Sequence, residues 1–383
     1  MPPSLFSILI ADRPTGAAPS LPPAVERNIA SFQDRHPGMP HRLFDDDAIR
    51  AFLRSHMEAD ILWAYDQLLP YAYRADLARL CLLYEFGGVY ADLSVFFHAA
   101  WPVRPGKLAV FRDRAVIAPW IASNTVISAP PRFAALEAAI RMIVGNCRRR
   151  YRGASPLCPT GPVLFGKAIA MHCEPQQIHM GDVVNLAGRA TTEALAFVDA
   201  SDGSMIGYRT KTRAGLAELG LVAGVNDYND FHRAGVTYAG DFPLVVDAGY
   251  LHQHGQHTGT FDGTELCHAA AAGVGAQTVL LCALALPFAA GRYRLALDVA
   301  EAAAGCVLTV LALANHGSTV LARGDHRLER AVTRTAAPDA RPGLVLDVAS
   351  SRADIVLGVL HEGPGALRLR GLHIALLHQR AAA

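Results

Sequence analysis

The sequence predicts an α/β domain followed by an all-β sandwich, and three observations carry that expectation. At 383 residues the chain is long for one core and suits two domains of roughly 150 residues or more each. Its opening stretch reads as strand, helix, strand, helix, the order of an α/β layer architecture. From about Gly249 onward, short runs with partial period-2 alternation follow one another between Gly, Pro, Asn and Asp turns, the pattern of a sandwich. The boundary is expected near residues 240–255, giving domains 1–245 and 246–383.

Leu5 to Ile10 reads as a short buried strand, followed by a Pro/Gly/Ala loop from Arg13 to Pro23. Ala24 to Arg35 spaces Val25, Ile29 and Phe32 as one helical face. Gly38-Met39-Pro40 then turns the chain into a strand over His41 to Phe44. Asp45-Asp46-Asp47 precedes the apolar-periodic run Ile49, Phe52, Leu53, where carboxylates serve as N-cap and first-turn residues of a helix. In the second domain, Arg292–Val299, Cys306–Leu313, Leu344–Val348, Ile355–Leu360 and Leu367–Leu376 are the expected strands.

Composition narrows the function classes. Hydrophobic residues make up 51% and charged residues 18%, which is globular, and a net charge of +1 gives no electrostatic footprint for nucleic acid. Arg148-Arg149-Arg150 with Arg152 reads as a solvated helix end, with contact to a phosphate or lipid headgroup (a peripheral membrane contact) as the alternative. The seven cysteines are scattered and lack CxxC spacing, which argues against a disulfide framework and a structural zinc site. The apolar run in MPPSLFSILIADRP is too short for a signal peptide, and no stretch reaches the roughly 18 residues of a membrane span. A soluble, cytoplasmic protein is expected.

The chemistry concentrates in Tyr71 to Val95, YAYRADLARLCLLYEFGGVYADLSV. Pro70 suits a first helical turn, and Tyr71 to Phe86 reads as a helix of about four turns. Asp76 and Arg79 sit at i and i+3 and share a face, while Leu77, Leu80 and Leu83 supply the buried side. Gly87-Gly88 stops the helix, and Val89-Tyr90-Ala91 forms a strand fragment ending at Asp92. In an extended segment, Asp92 and Ser94 face the same side. Cleaving a sugar from a nucleoside diphosphate leaves two phosphates of growing negative charge, which a carboxylate-held divalent ion offsets. A second carboxylate and an arginine on a rigid helix can grip sugar hydroxyls. The bland alternative is a surface ion pair at Asp76 and Arg79 with Asp92 capping a turn.

This stretch resembles the glycosyltransferases of family 32, with the related clostridial toxin glucosyltransferases and capsular polysaccharide transferases. Their pattern is much like SDxxRxxxLxxxGGxYxDxD, against Ala75-Asp76-Leu77-Ala78-Arg79, Leu83, and Gly87-Gly88-Val89-Tyr90-Ala91-Asp92-Leu93-Ser94 here. HPGMPHRLFDDDAIRAFL is similar to an upstream family segment, Pro159-Thr160-Gly161-Pro162 to a TGP loop, and Ser123-Asn124 to a segment after the core. The resemblance covers roughly residues 5–240 and implies a GT-A fold, a Rossmann-like α/β sheet that binds nucleotide-sugar. It implies a retaining transferase that uses Mn²⁺ or Mg²⁺, with a nucleotide-diphosphate sugar as donor and a glycan or glycoconjugate as acceptor. Asp76, Arg79 and Asp92 would be catalytic; donor binding would add Tyr90, Ser94, Asn124 and Gly161. The metal would draw on Asp92, Ser94 and, from the late polar cluster Asn226 to His232, Asn229 and His232.

Three departures stand out, one being that the family's late metal or diphosphate ligand has no clean counterpart: the cluster Asn226 to His232 is the best candidate, with a hydrogen-bonded loop as its alternative. Ser94 occupies the place of the second aspartate, and the N-terminal strand ends Ile10-Ala11-Asp12-Arg13, where the family often has a tryptophan suited to the base. The second domain reads as a carbohydrate-binding-module-like sandwich. An alternative function is a non-catalytic carbohydrate-binding protein that retains the GT-A fold. A third, a zinc site at His252, His254 and His257, lacks accompanying cysteines or an HExxH helix.

Overall fold

A computed structural model describes residues 3–11, 21–114, 119–186, 195–211, 219–220, 226–269, 275–333 and 340–379. The expected loop from Arg13 to Pro23 lies largely outside these residues, as do Asp12 and Arg13. The chain divides into two compact units, the first ending at Ala239 and the second beginning at Gly240.

In the first unit the order is β1 (Ser4–Ile8), α1 (Pro23–Arg35), β2 (His41–Phe44), α2 (Asp46–His56), α3 (Ala59–Gln67), α4 (Tyr71–Phe86), β3 (Gly88–Ala91) and β4 (Val95–Phe97). There follow β5 (Leu108–Arg112), β6 (Val126–Ala129), α5 (Ala134–Arg149), α6 (Pro162–His172), β7 (Ile178–Asn185), β8 (Leu195–Asp199), β9 (Met205–Arg209) and α7 (Tyr228–Arg233). The strands form one mixed sheet in the order β2-β1-β3-β6-β5-β7-β8-β9-β4. Strand β1 runs parallel to β2 and β3, and β5 runs parallel to β7. The remaining pairs are antiparallel.

Strand periodicity divides the core into two layers. Phe6, Ile8 and Tyr90 point to the face covered by Leu77, Leu80 and Leu83 of α4, together with α5 and α6. Leu5, Val89 and Ala91 point to the opposite face, against Phe32 of α1 and Phe97, Trp101 and Phe111. Both faces are therefore apolar, as expected for strands with helices on either side. Helix α4 is buried almost all round, the state of a helix enclosed by other elements. Asp76 and Arg79, 8% and 5% exposed, are thus interior groups and not a surface ion pair.

The aspartate run behaves as its position predicts. The Asp45 carboxylate caps α2 by accepting from the Ala48 amide at 2.9 Å. Asp46, buried, accepts from Arg50 Nε at 2.7 Å and from the Tyr65 hydroxyl at 2.6 Å, tying α2 to α3. The Arg148 guanidinium at the exposed end of α5 pairs with Asp60 at 2.9 Å.

The second unit comprises β10 (Leu244–Asp247), α8 (Ala248–His254), β11 (Gly255–His257), β12 (Thr260–Phe261), β13 (Leu266–Ala269), β14 (Gln277–Ala283) and β15 (Gly291–Ala302). It continues with β16 (Val307–Ala314), β17 (Thr319–Arg327), β18 (Gly343–Val348), β19 (Val356–Glu362) and β20 (Ala366–Gln379). One sheet runs β12-β13-β20-β15-β18 with β10 also on β20; the other runs β11-β14-β19-β16-β17. All their pairings are antiparallel. Leu295, Leu297, Leu372 and Ile374 of the first sheet share a core with Leu308, Val310, Leu357 and Val359 of the second, the packing of a sandwich. The five expected strands correspond to β15, β16, β18, β19 and β20. Strand β17 escaped the sequence reading because it is a polar edge, carrying Arg323, Asp325 and His326 where an inner strand would carry apolar residues.

The glycine pair after α4 is dictated by backbone geometry. Gly87 at φ +63 ends the helix, and its amide donates to the Leu83 carbonyl at 2.8 Å. Gly88 at φ +119 faces Ser4 across the β1–β3 pair, where a Cβ would lie 2.2 Å from the Ser4 carbonyl oxygen. Gly88→Ala therefore has to push β1 away from β3 as well as strain the backbone, which costs about 1–3 kcal/mol by itself. Denaturant unfolding should show a loss of at least that size; an unchanged midpoint would contradict this account of the β1–β3 contact.

Candidate functional site

A cleft of about 570 Å³ opens in the first unit where β1 and β3 end. Ile8 and Ile10 line it from the end of β1, and Tyr90 and Asp92 from the end of β3. Ligands of open α/β sheets bind at the carboxyl ends of strands, and the functional side chains converge at this end.

Helix α4 and strand β3 build the floor. The guanidinium of Arg79 lies over the Tyr90 ring at 4.5 Å, a stacking that holds its plane. Arg79 Nε donates to the Ala75 carbonyl at 3.1 Å and Nη1 to the Asn124 carbonyl at 2.5 Å. Nη2 lies 3.3 Å from Asp76 Oδ1, and Nη1 lies 3.2 Å from Asp92 Oδ1. The Tyr90 hydroxyl also donates to Asp92 Oδ1, at 2.8 Å. One arginine thus fixes both carboxylates.

Asp76 receives two further hydrogen bonds, from Asn124 Nδ2 at 3.1 Å and from Thr160 Oγ1 at 2.8 Å. Burial raises its pKa above the ordinary carboxylate value, while Arg79, Asn124 and Thr160 pull it back. Burial acts against the Arg79 charge, but Tyr90, Asp92 and Asp76 outweigh it and keep the guanidinium firmly protonated. Burial also drives the Tyr90 phenol well above its usual value, so it stays a hydrogen-bond donor.

Asp92 and Ser94 lie in the turn between β3 and β4. The Asp92 amide donates to the Thr125 carbonyl at 2.9 Å, and the Val95 amide donates to the Asp92 carbonyl at 3.1 Å. The Asp92 side chain is 28% exposed toward the cleft. Ser94 is 1% exposed, and its hydroxyl has no hydrogen-bond partner although it borders the cleft. Asn124 Oδ1, also beside the cleft, is buried and unpartnered as well. Buried polar atoms left unpaired are costly, and a polar ligand in the cleft would satisfy both.

The structure brings Asp76, Arg79, Tyr90, Asp92, Ser94, Asn124 and Gly161 to one cleft. Asn229 and His232 are not among its lining residues. Asn229 is held by the Asp227 carboxylate, which caps α7, and His232 Nε2 lies 3.3 Å from the Arg152 carbonyl. Their segment reaches the cleft through Asn226 and Tyr228 instead. In the TGP loop the residue that touches Asp76 is Thr160, while Gly161 precedes Pro162 at the start of α6. Sequence reasoning also missed Arg209 and Lys211, which line the cleft from the end of β9; no local pattern marks them, since only pairing with β4 brings them here.

In the second unit, the histidine segment forms no converging metal set. His252 Nδ1 is hydrogen-bonded to His257 Nε2 at 2.7 Å, and the His252 ring stacks on Phe261. Among the described residues, no group of three or more His, Cys, Asp or Glu side chains is arranged to hold a metal ion.

Residues 22–104, spanning α1 to the segment beyond β4, match the family described as the glycosyltransferase sugar-binding region containing the DXD motif. The match spans 83 of the 383 residues, about a fifth of the chain. Asp92-Leu93-Ser94 lie within the matched residues. A 58-residue stretch is 38% identical to an uncharacterised glycosyltransferase of Acanthamoeba polyphaga mimivirus, covering 15% of this chain and 23% of that protein. A 65-residue stretch is 37% identical to inositol phosphoceramide mannosyltransferase 3 of Schizosaccharomyces pombe, covering 16% of this chain and 17% of that protein. Among solved structures, PaToxG glycosyltransferase aligns at 17% identity and TM-score 0.34, over 44% of this chain and 71% of its own. The xylan-binding module CBM15 aligns at 15% identity and TM-score 0.23, over 36% of this chain and 99% of its own.

The Thr160 contact yields a pH-dependent expectation. Because burial raises the pKa of Asp76, folding stability falls as pH rises from the ordinary carboxylate range through the raised value, where the folded state must ionise it. Thr160→Val removes a donor that favours the ionised form, so its cost is largest above that range, at about 1.5–3 kcal/mol, and smaller below it. Denaturant unfolding of both proteins at acid and at mildly alkaline pH measures the difference; an equal cost at both would contradict the assignment.

Proposed function

We propose that the chain is a glycosyltransferase that moves a sugar from a nucleotide-diphosphate donor to a glycan or glycoconjugate acceptor, using a GT-A-type first unit. One observation carries the reading: a carboxylate and an arginine, both buried on one helix, meet Asp92 at a cleft on the carboxyl ends of the strands. Asp76 and Arg79 would grip the hydroxyls of the donor sugar, since both are immobilised and the cleft borders them. Asp92 would face the diphosphate, and Tyr90 and Arg79 hold its carboxylate in one orientation. We further propose that the anomeric configuration is retained, on the likeness of the motif alone. The acceptor would lie near Asn124 and the TGP loop.

The residues suit Mn²⁺ or Mg²⁺ when the donor is present. Such an ion is commonly bound by one or two carboxylates together with substrate phosphates and water. Here Asp92 and the unpaired Ser94 hydroxyl would hold it, and it would neutralise charge on the leaving diphosphate. With one protein charge at the DXD positions, metal affinity depends on the diphosphate arriving with it.

For the second unit we propose a glycan- or protein-binding role. Its aromatic residues are Phe242, Tyr250, Phe261, Phe288 and Tyr293, and none is exposed. A glycan there would be held by hydrogen bonds rather than by ring stacking. The seven free cysteines support a reducing, cytoplasmic setting.

The second reading, a non-catalytic carbohydrate-binding protein, is favoured by Ser94. Hydrolysis of a panel of UDP- and GDP-sugars with Mn²⁺ separates the two. We expect turnover with one donor class and a loss of about 100-fold or more in Asp92→Asn, the scale on which oriented electrostatic groups act. Turnover indifferent to that substitution would remove Asp92 from the mechanism, and binding of donor without turnover across acceptors would favour the second reading.

A further inference from the structure

Cationic side chains also border the cleft. Arg209 and Lys211 both line it. Strand β4 pairs antiparallel with β9, setting Val95 opposite Arg209. One residue further along the pair, the Thr210 amide and hydroxyl both donate to the Ser94 carbonyl, at 2.7 and 2.9 Å. Asn28 Nδ2 clamps the junction by donating to the Leu93 carbonyl and to Thr210 Oγ1, both at 2.8 Å. The result is a fixed two-stranded ribbon. The turn before β4 offers Asp92 and Ser94 to the cleft, and the end of β9 with the segment just after it offers Arg209 and Lys211.

Two atoms on this ribbon lack partners. Arg209 Nε is buried and makes no hydrogen bond, and neither does the Ser94 hydroxyl. A guanidinium fork matches phosphate oxygens in geometry and charge, and a lysine adds a compact second charge. A phosphate group held between the strands would satisfy the arginine donor and the serine hydroxyl together.

We propose that Arg209 and Lys211 bind the diphosphate of the donor and supply, as fixed protein charge, much of what a second DXD aspartate would recruit through a metal ion. This rests on the glycosyltransferase reading above. Its consequence is that the nucleoside diphosphate binds this cleft appreciably without any divalent cation, and that binding weakens with salt, as attraction between exposed charges does. The substitution at Ser94 and the cations on β9 are then one arrangement: the loss of a negative charge on one strand removes a competitor for the cations on the other.

Calorimetric titration of the full chain with UDP and with GDP, in EDTA and in Mn²⁺, tests this. In EDTA the nucleotide that binds should do so within about tenfold of its affinity in Mn²⁺, and the double variant Arg209→Gln/Lys211→Gln should lose about 100-fold, as expected for two charge-assisted contacts. Arg209→Lys with Lys211 intact should keep most of the affinity, which separates loss of charge from loss of fold. Binding only in Mn²⁺, with the double variant unaffected, would overturn the proposal and leave the glycosyltransferase reading standing. No binding of either nucleotide under either condition would overturn both.

Discussion

A guanidinium at 5% exposure has to be matched in charge and in hydrogen bonds, and the matching of Arg79 organises the cleft. Its partners come from four places: the preceding turn of α4, the Asn124 segment, the end of β3, and Asp76 one helical turn away. Removing one member of a buried pair leaves an uncompensated charge, typically at a cost of about 3–5 kcal/mol. The positions of Asp76, Asp92 and Tyr90 are therefore coupled through a single side chain. Preorganisation of this kind is what a site needs when its task is to orient a sugar and receive charge on a leaving group.

That arrangement depends on the sheet alternation and on two glycines. Tyr90 points to the α4 face because Val89 and Ala91 point the other way. Its ring then meets Arg79, and Asp92, two residues on, reaches the same side. Gly87 and Gly88 let the chain leave α4 and enter β3 against Ser4 and Pro131, at contacts no side chain tolerates. The short distance in sequence between helix and strand is what brings Asp76, Arg79 and Asp92 within one charge network.

Much of this was legible because it is local. The helix Tyr71–Phe86, the strand His41–Phe44 and the N-cap at Asp45 follow from spacing and capping within a dozen residues. The burial of Asp76 and Arg79 was not legible, since spacing puts them on one face without saying what covers it. Thr160 and the β9 cations lay beyond reach for a related reason: their place in the cleft is set by loop closure and by strand pairing across more than a hundred positions. Asn229 and His232 carried the right chemistry, but Asp227 and the Arg152 carbonyl engage them away from the cleft. In the sandwich, β15, β16, β18, β19 and β20 were readable, while the polar edge β17, the buried β14 and the short strands β10 to β13 were not.

The central claim is that Asp92, Ser94 and the facing end of β9 form a seat for a diphosphate beneath a sugar held by Asp76 and Arg79. A crystal structure of the chain with whichever of UDP or GDP binds tests it most directly. The account predicts the diphosphate in this cleft, with a phosphate oxygen within hydrogen-bonding distance of the Ser94 hydroxyl and the Asp76–Arg79–Asp92 network unchanged. A nucleotide bound elsewhere, or bound in the cleft with the Ser94 hydroxyl still unpaired, would contradict it.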